Sequence, residues 1–361
     1  MAYNLYIIEV DNDTYETNIS CYQHCLFGSI TVGHKWGNFC YEIVAQADPI
    51  GKEYFWISGV FLVLLGIIGF LGNIFTIVVL CQPKMRKRVF YNLLLALACF
   101  DTLFILTYGT SYAYMSLAGL ECPNYKEQVY YLFYPAREIC LVGSIYMTVA
   151  ISLERYLGIC HPQLQFSRGA LVYILPVVII DFAFTFPTFM EIEYSFENGT
   201  LETRFKDMRY EHQYEQAYNL WAEVIFKTII PLISLFFLNG SIIVTIKQTT
   251  HPLRTQAGRE GNSTMILFCI VFVFLTFHVP RVVHKLFYYL DHENESSWHL
   301  IYPIFRLALT TNSAINFLIY SMVGREFRAE FIKLFKYKKA LTSKTSSNGK
   351  VEISSLEITS L

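Results

Sequence analysis

Asp101 is the residue that most needs a chemical reason. It sits in a long apolar run, residues 89–117, where a charged group costs about 3 kcal/mol on insertion scales unless it has a partner or a task. Asn73, Ser144, Asn312, Ser313 and Asn316 are small oxygen-bearing residues inside other apolar runs. With Asp101 they make either a structural hydrogen-bond network or, since oxygen ligands around one carboxylate suit a hard ion, a site for a monovalent cation and water. A second set is Glu154-Arg155-Tyr156, followed by Cys160-His161-Pro162. An arginine there needs an acid, and two are offered: Glu154 beside it, and Glu260 at the start of a later apolar run. Such a pair is either an ordinary ion pair or a latch whose release lets one helix swing from another. A third set is Arg137, Glu138, Glu223, Lys227, Arg281 and Arg306. Arg137 precedes Arg155 by 18 residues, about five turns at 3.6 residues each, so both face the same way. Glu223 and Lys227 are spaced to pair along one helix face. Buried charges of both signs suit a ligand with a polar backbone and a charged side chain, such as a peptide; the excess of deep bases would also welcome a small carboxylate.

These residues need long helices to hold them. The 361-residue chain is 54% hydrophobic and only 16% charged, against about a quarter charged in soluble domains. Seven stretches have membrane length: 54–81, 89–117, 128–160, 170–190, 219–247, 264–290 and 299–322. An odd count puts the two ends of the chain on opposite sides. Lys84, Arg86, Lys87 and Arg88 fill the first short loop, Lys247, Arg254 and Arg259 the third inner one, and Arg325, Arg328, Lys333, Lys336, Lys338 and Lys339 follow the last span. By the positive-inside rule these face the cytosol. Residues 1–53 carry Glu9, Asp11, Asp13, Glu16, Glu42, Asp48 and Glu53 against Lys35 and Lys52, so the N-terminus faces outward. Glycosylation signals at Asn12, Asn18, Asn198 and Asn294 all fall on outer segments, whereas those at Asn239 and Asn262 do not. Cys21, Cys25, Cys40 and Cys122 also lie outside, where two disulfides in three pairings are open to them. No cleavable signal is visible at the start, so the first span serves to insert the chain.

Several function classes are excluded. A net charge of −1 and the lack of zinc-finger or phosphate-loop spacings leave no nucleic-acid partner. No HExxH or GxSxG appears, so no enzyme is expected. No lysine lies in 299–322 for a retinal Schiff base, and no internal repeat suggests a transporter. The outer segments are acidic, with seven acids in 191–218 against Arg204, Lys206 and Arg209, a field that attracts cations.

In order along the chain, Gly72-Asn73, Leu97-Ala98 with Asp101, Glu154-Arg155-Tyr156, Pro231, Phe274 with Pro280, Asn316 to Tyr320, and Phe327 fall on the successive spans and just beyond them. From about Tyr54 to Phe335 the chain resembles a rhodopsin-like (class A) G-protein-coupled receptor. The resemblance implies an all-α membrane protein: a seven-transmembrane helix bundle over 54–322, a short amphipathic eighth helix over 323–336, an extracellular glycosylated segment 1–53 and a disordered cytosolic tail 337–361. It further implies a sodium pocket at Asp101, Ser144, Asn312 and Ser313, with no other cofactor, and an ionic lock between Arg155 and Glu260. Ile145, Pro231 and Phe274 match the connector between ligand pocket and inner opening. The partners implied are a heterotrimeric G protein, a receptor kinase and arrestin, in a plasma membrane whose lipid surrounds the bundle. Thr342, Ser343, Thr345, Ser346 and Ser347 offer phosphorylation sites, and Thr359-Ser360-Leu361 resembles an end read by PDZ proteins.

Departures from the family narrow the choice. Tyr130 stands where a cysteine usually tops the third helix, and 191–218 has no cysteine to meet it. The sixth helix reads Phe277-His278-Val279-Pro280, with His278 in place of the usual tryptophan, and the seventh has Phe317 for the family's proline. Ser144 to Val149 running into Glu154-Arg155-Tyr156, Phe186-Pro187 with Glu191, and Asn312 to Tyr320 are similar to the invertebrate FMRFamide-receptor-like group. That resemblance implies an extracellular amidated peptide as ligand; the alternative is a chemosensory receptor of the same fold for a small, acidic molecule.

Overall fold

The computed structural model describes residues 3–9, 23–26, 29–36, 39–47, 55–117, 123–165, 169–197, 200–248, 256–290 and 301–334. Asn12, Asn18, Cys21, Cys122, Asn198, Asn294 and the tail 335–361 lie outside them, as do the side chains of Cys25, Cys40, Glu260 and Arg281. Before the bundle, β1 (Tyr3–Glu9), β2 (Gln23–Leu26), β3 (Ser29–Trp36) and β4 (Phe39–Ala47) pair antiparallel in the order β1-β4-β3-β2.

Seven helical passes follow. α1 opens as a π-helix, Phe55–Phe61, and continues through Leu62–Leu80. A single turn, Pro83–Arg86, leads to α2, Val89–Leu117. α3 is Pro123–Cys160, and Pro162 stops it as its missing N–H requires. α4 is Leu171–Met190, after which β5 (Ile192–Glu197) and β6 (Thr200–Phe205) form a hairpin. α5 winds through π-helical Glu215–Ala222 and Ile225–Ile229 into Ile230–Gln248. Pro231 cannot donate to the carbonyl four residues back, which accounts for the wide turn just before it. α6 is Gln256–Leu290, and α7 comprises Ile301–Ala314 and Asn316–Val323. After non-helical Gly324, residues 325–334 form α8.

Six of the described helices are long and apolar enough to cross a membrane. α7 is not among them: it breaks at Ile315 into pieces of 14 and 8 residues and carries Arg306, Thr310, Thr311, Asn312, Ser313 and Asn316. The break needs no proline: the Asn73 amide donates to the Ser313 carbonyl at 3.0 Å, and Thr310 and Thr311 hydroxyls bond back to the carbonyls of Arg306 and Leu307. Side chains inserted into the ladder in this way bend a helix. The α6 start also differs from the hydropathy reading, by eight residues, because hydropathy marks the edge of the lipid and not the end of the hydrogen-bonded rod.

Burial runs opposite to a soluble protein. Phe236 is 84% exposed and Phe272 70%, while Asn73 and Asp101 are 0% exposed. Apolar side chains face outward to lipid and polar ones line the axis, the arrangement a bilayer demands. The inner half is filled by Phe90, Leu94, Ile151, Leu267, Tyr320 and Phe327. Gly143 lets α2 and α3 meet: a Cβ there would stand 2.2 Å from the Phe100 ring. That contact brings Ser144 within reach of Asp101.

Candidate functional site

Three groups of polar side chains lie along the bundle. At the centre, the Ser144 hydroxyl donates to Asp101 Oδ1 and the Asn316 amide to Oδ2, each at 2.7 Å. Three helices, α2, α3 and α7, therefore converge on one carboxylate. Ser313 is buried and supplies its carbonyl to Asn73, whose own amide oxygen is buried with no hydrogen-bond partner. Among the described residues Asn312 makes no hydrogen bond to this group. The carboxylate, two serines and the spare Asn73 oxygen form an oxygen-rich donor set of the kind a hard cation takes.

At the inner mouth, Arg155 Nε and Nη2 grip both oxygens of Glu154 at 2.5 Å, and the guanidinium lies 4.7 Å from the centre of the Phe90 ring. Of the two acids offered by the sequence, the pairing seen is with Glu154; the Glu260 side chain falls outside the described set. Tyr156 stacks edge-on against His161 and shares a hydrogen bond with it at 3.0 Å. Above, Ile145, Pro231 and Phe274 are buried, and Phe274 stacks on His278 with ring centres 4.3 Å apart. Tyr146 donates to the Phe226 carbonyl at 2.9 Å, in the π-wound turn of α5. Tyr320 packs on Phe327 of α8.

In the outer half, Lys227 sits between Glu138 and Glu223, 2.5 Å from each, and Arg137 contacts Glu138 at 3.3 Å. Arg137, Glu138 and Lys227 are 4%, 7% and 5% exposed, so α3 and α5 are joined by charges held out of water. Such pairs are stable only while each charge keeps its partner. The Arg137 guanidinium also stands 4.9 Å from the Tyr134 ring. Arg306 is half-buried on α7 and is engaged in interactions of its own. Arg281 is placed on α6 by the backbone alone.

Sequence reasoning missed two residues here. Asp181 on α4 is 2% exposed, and one of its carboxylate oxygens has no hydrogen-bond partner. Nothing in a run such as Leu171–Met190 says which way a lone acid turns. The second is Glu191, read from the sequence as part of a motif and as one of the seven acids of 191–218. It is fully buried, ion-paired with Arg209, and accepts from the Tyr214 hydroxyl at 2.8 Å. Arg209 also donates to the Tyr134 hydroxyl at 3.0 Å and lies 4.0 Å from the Phe205 ring centre. The stretch 191–218 is thereby pinned to α3 without a disulfide. Arg209, indistinguishable by composition from a solvated surface base, is a structural anchor.

Residues 72–320 match the family of 7 transmembrane receptors of the rhodopsin type. The chain is 29% identical over 336 residues to the FMRFamide receptor of Drosophila melanogaster, a match covering 85% of this chain and 59% of that protein. The chain thus spans well under two thirds of that relative's length. It is 26% identical over 298 residues to the FMRFamide peptide receptor frpr-18 of Caenorhabditis elegans, covering 76% and 68%. To the human C-C chemokine receptor type 1 it is 23% identical over 294 residues, covering 77% and 79%. A seven-pass bundle with this node, this Glu-Arg-Tyr mouth and a family match over two thirds of its length belongs to the rhodopsin family of seven-transmembrane receptors, multi-pass membrane proteins and not enzymes, and is related to FMRFamide receptors.

Proposed function

We propose that this receptor is activated by an extracellular amidated neuropeptide of the FMRFamide type and signals through a heterotrimeric G protein. The observation that carries this reading is the buried chain Arg137–Glu138–Lys227–Glu223 across α3 and α5, in a protein similar to two receptors named for FMRFamide. A cationic peptide side chain entering there exchanges partners with Lys227 or Arg137 at Glu138, and neither helix then keeps its old contact. Arg137 and Lys227 are matched by carboxylates, which supports a peptide with a charged side chain over a small acidic ligand; the case for the latter now rests on Arg281 and Arg306.

The peptide approaches from the acidic outer face, with 1–53 extracellular, glycans at Asn12, Asn18, Asn198 and Asn294, and disulfides among Cys21, Cys25, Cys40 and Cys122. Its binding shifts Ile145, Pro231 and Phe274, with His278 acting where the family has tryptophan. That shift relays to Asp101 and Asn316, and Arg155 is released from its acid partners, Glu154 and Glu260. α6 then swings away and the crevice takes the G protein. Asp101, Ser144 and Ser313, with Asn312 turned inward, would hold a sodium ion, which supplies positive charge that favours the closed bundle. α8 lies amphipathically on the inner leaflet of the plasma membrane. The tail past 336 carries receptor-kinase and arrestin sites and a PDZ-type end. To matter, the ligand must prefer the open state by a few kcal/mol.

The test is a library of amidated peptides and their free-acid counterparts, applied to cells expressing the full chain with calcium and cyclic-nucleotide readouts. Amidated peptides carrying arginine should respond, and Arg137→Ala should raise the concentration needed. A response to small carboxylates with none to any peptide, at verified surface expression, would overturn the reading.

A further inference from the structure

We propose that Asn262 is a second latch of the inner mouth, tying α6 to the elbow between α7 and α8. The inference rests on the reading that α6 moves outward when the receptor signals. At the elbow, Gly324 is extended, with φ −77° and ψ 93°. The helix on each side of it therefore leaves backbone groups without intrahelical partners. Asn262, near the inner start of α6, answers both. With its amide oriented to match its partners, the nitrogen donates to the Val323 carbonyl at 2.7 Å and the oxygen accepts from the Arg325 N–H at 3.2 Å.

A second observation places α6 against the same point. A Cβ added at Gly324 would stand 3.4 Å from Ile266 Cδ1, a fully buried α6 side chain, and 2.5 Å from the Tyr320 carbonyl. Ser263 and Thr264, the next residues of α6, are buried too. An outward swing of α6 has to break both Asn262 bonds and expose the two backbone groups. Only a side chain of this length with a donor and an acceptor on one planar amide does both jobs; aspartate keeps the acceptor and turns its other oxygen toward the Val323 carbonyl. Because the latch is neutral, salt and pH leave it intact while they weaken the ion pairs nearby.

The test compares Asn262→Ala, Asn262→Asp and Glu154→Gln in the full chain. Ligand-free signalling is read per receptor at the cell surface. The separation of labels at the inner ends of α1 and α6 is read on purified protein in nanodiscs without ligand. Two hydrogen bonds of ordinary net strength correspond to roughly a tenfold shift in the closed-to-open ratio. Both Asn262 variants should therefore raise ligand-free output several-fold and lengthen the label distance, and high salt in the nanodisc samples should lengthen the distance in Glu154→Gln less than in Asn262→Ala. If Glu154→Gln moves both readouts and the Asn262 variants move neither, the latch is refuted and the receptor mechanism stands. If none of the three moves either readout, the outward-swing reading fails and this inference fails with it.

Discussion

Replacing Arg209 with alanine should loosen the β5–β6 hairpin from the outer end of α3. Glu191 is fully buried, and its ion pair with Arg209 is the centre of a cluster that includes Tyr134 and Tyr214. Removing one partner of a buried pair costs about 3–5 kcal/mol, since the other charge is left in a poor solvent. Two features lower that figure. The Arg209 side chain is 21% exposed, so water already screens it in part, and the Tyr214 hydroxyl still holds one carboxylate oxygen. About 2–3 kcal/mol remains. At about 1.4 kcal/mol per tenfold, backbone amides in residues 192–205 should exchange with deuterium some 30- to 150-fold faster in the variant. The assay is hydrogen exchange by mass spectrometry on the full chain in nanodiscs, run as a cycle with Glu191→Gln and the double variant. The double variant should exchange more slowly than the two single effects combined predict. Exchange within twofold of the parent for Arg209→Ala, or strict additivity across the cycle, would refute the idea that this pair does the pinning.

Three further outcomes follow from the geometry. Gly143→Ala drives a methyl into the Phe100 ring and should cost about 1–3 kcal/mol by overpacking, read as a shorter thermal half-life and lower surface level; unchanged half-life would mean α2 and α3 meet less closely than described. Asp101→Asn should abolish any dependence of agonist affinity on sodium when the ion is exchanged for a bulky organic cation, and a retained dependence would place the ion elsewhere. At the inner face, hydrogen bonds from Lys84 and Lys333 hold the Glu330 carboxyl below the usual carboxylate range. A lowered folded value contributes stability above the unfolded one that is lost as pH falls through it. Mobility of a spin label on α8 should therefore stay flat from pH 8 to 6 and rise only below the ordinary carboxylate range, and Glu330→Gln should be mobile throughout.

Hydropathy and charge were enough to find the passes, because a bilayer imposes one length and one polarity on every rod that crosses it. Asp101 and Ser144 announced themselves for the same reason: polar groups in lipid are rare and must meet. Glu223 and Lys227 could be paired because their spacing lies within one helix. What escaped was tertiary. The break at Ile315 depends on Asn73, 240 positions away in sequence from the Ser313 carbonyl it occupies. Phe317 in the proline position gave no hint of it. The anchor role of Arg209 depends on a buried acid contributed by the end of α4. Asn262 read only as an unused sequon off the outer segments, because its backbone partners Val323 and Arg325 carry no side-chain signature at all. Charge composition assigned 191–218 to a solvated outer face, and could not say which of its bases turns inward.

The central question is whether an amidated peptide opens this bundle to a G protein. The direct measurement is guanine-nucleotide exchange on heterotrimeric G proteins reconstituted in lipid with the purified full chain, with amidated Arg-Phe peptides and their free acids added in parallel. The amidated forms should accelerate exchange, more weakly in Arg137→Ala and not at all in Arg155→Ala. Equal rates with and without every peptide, on receptor shown to be folded, would contradict it.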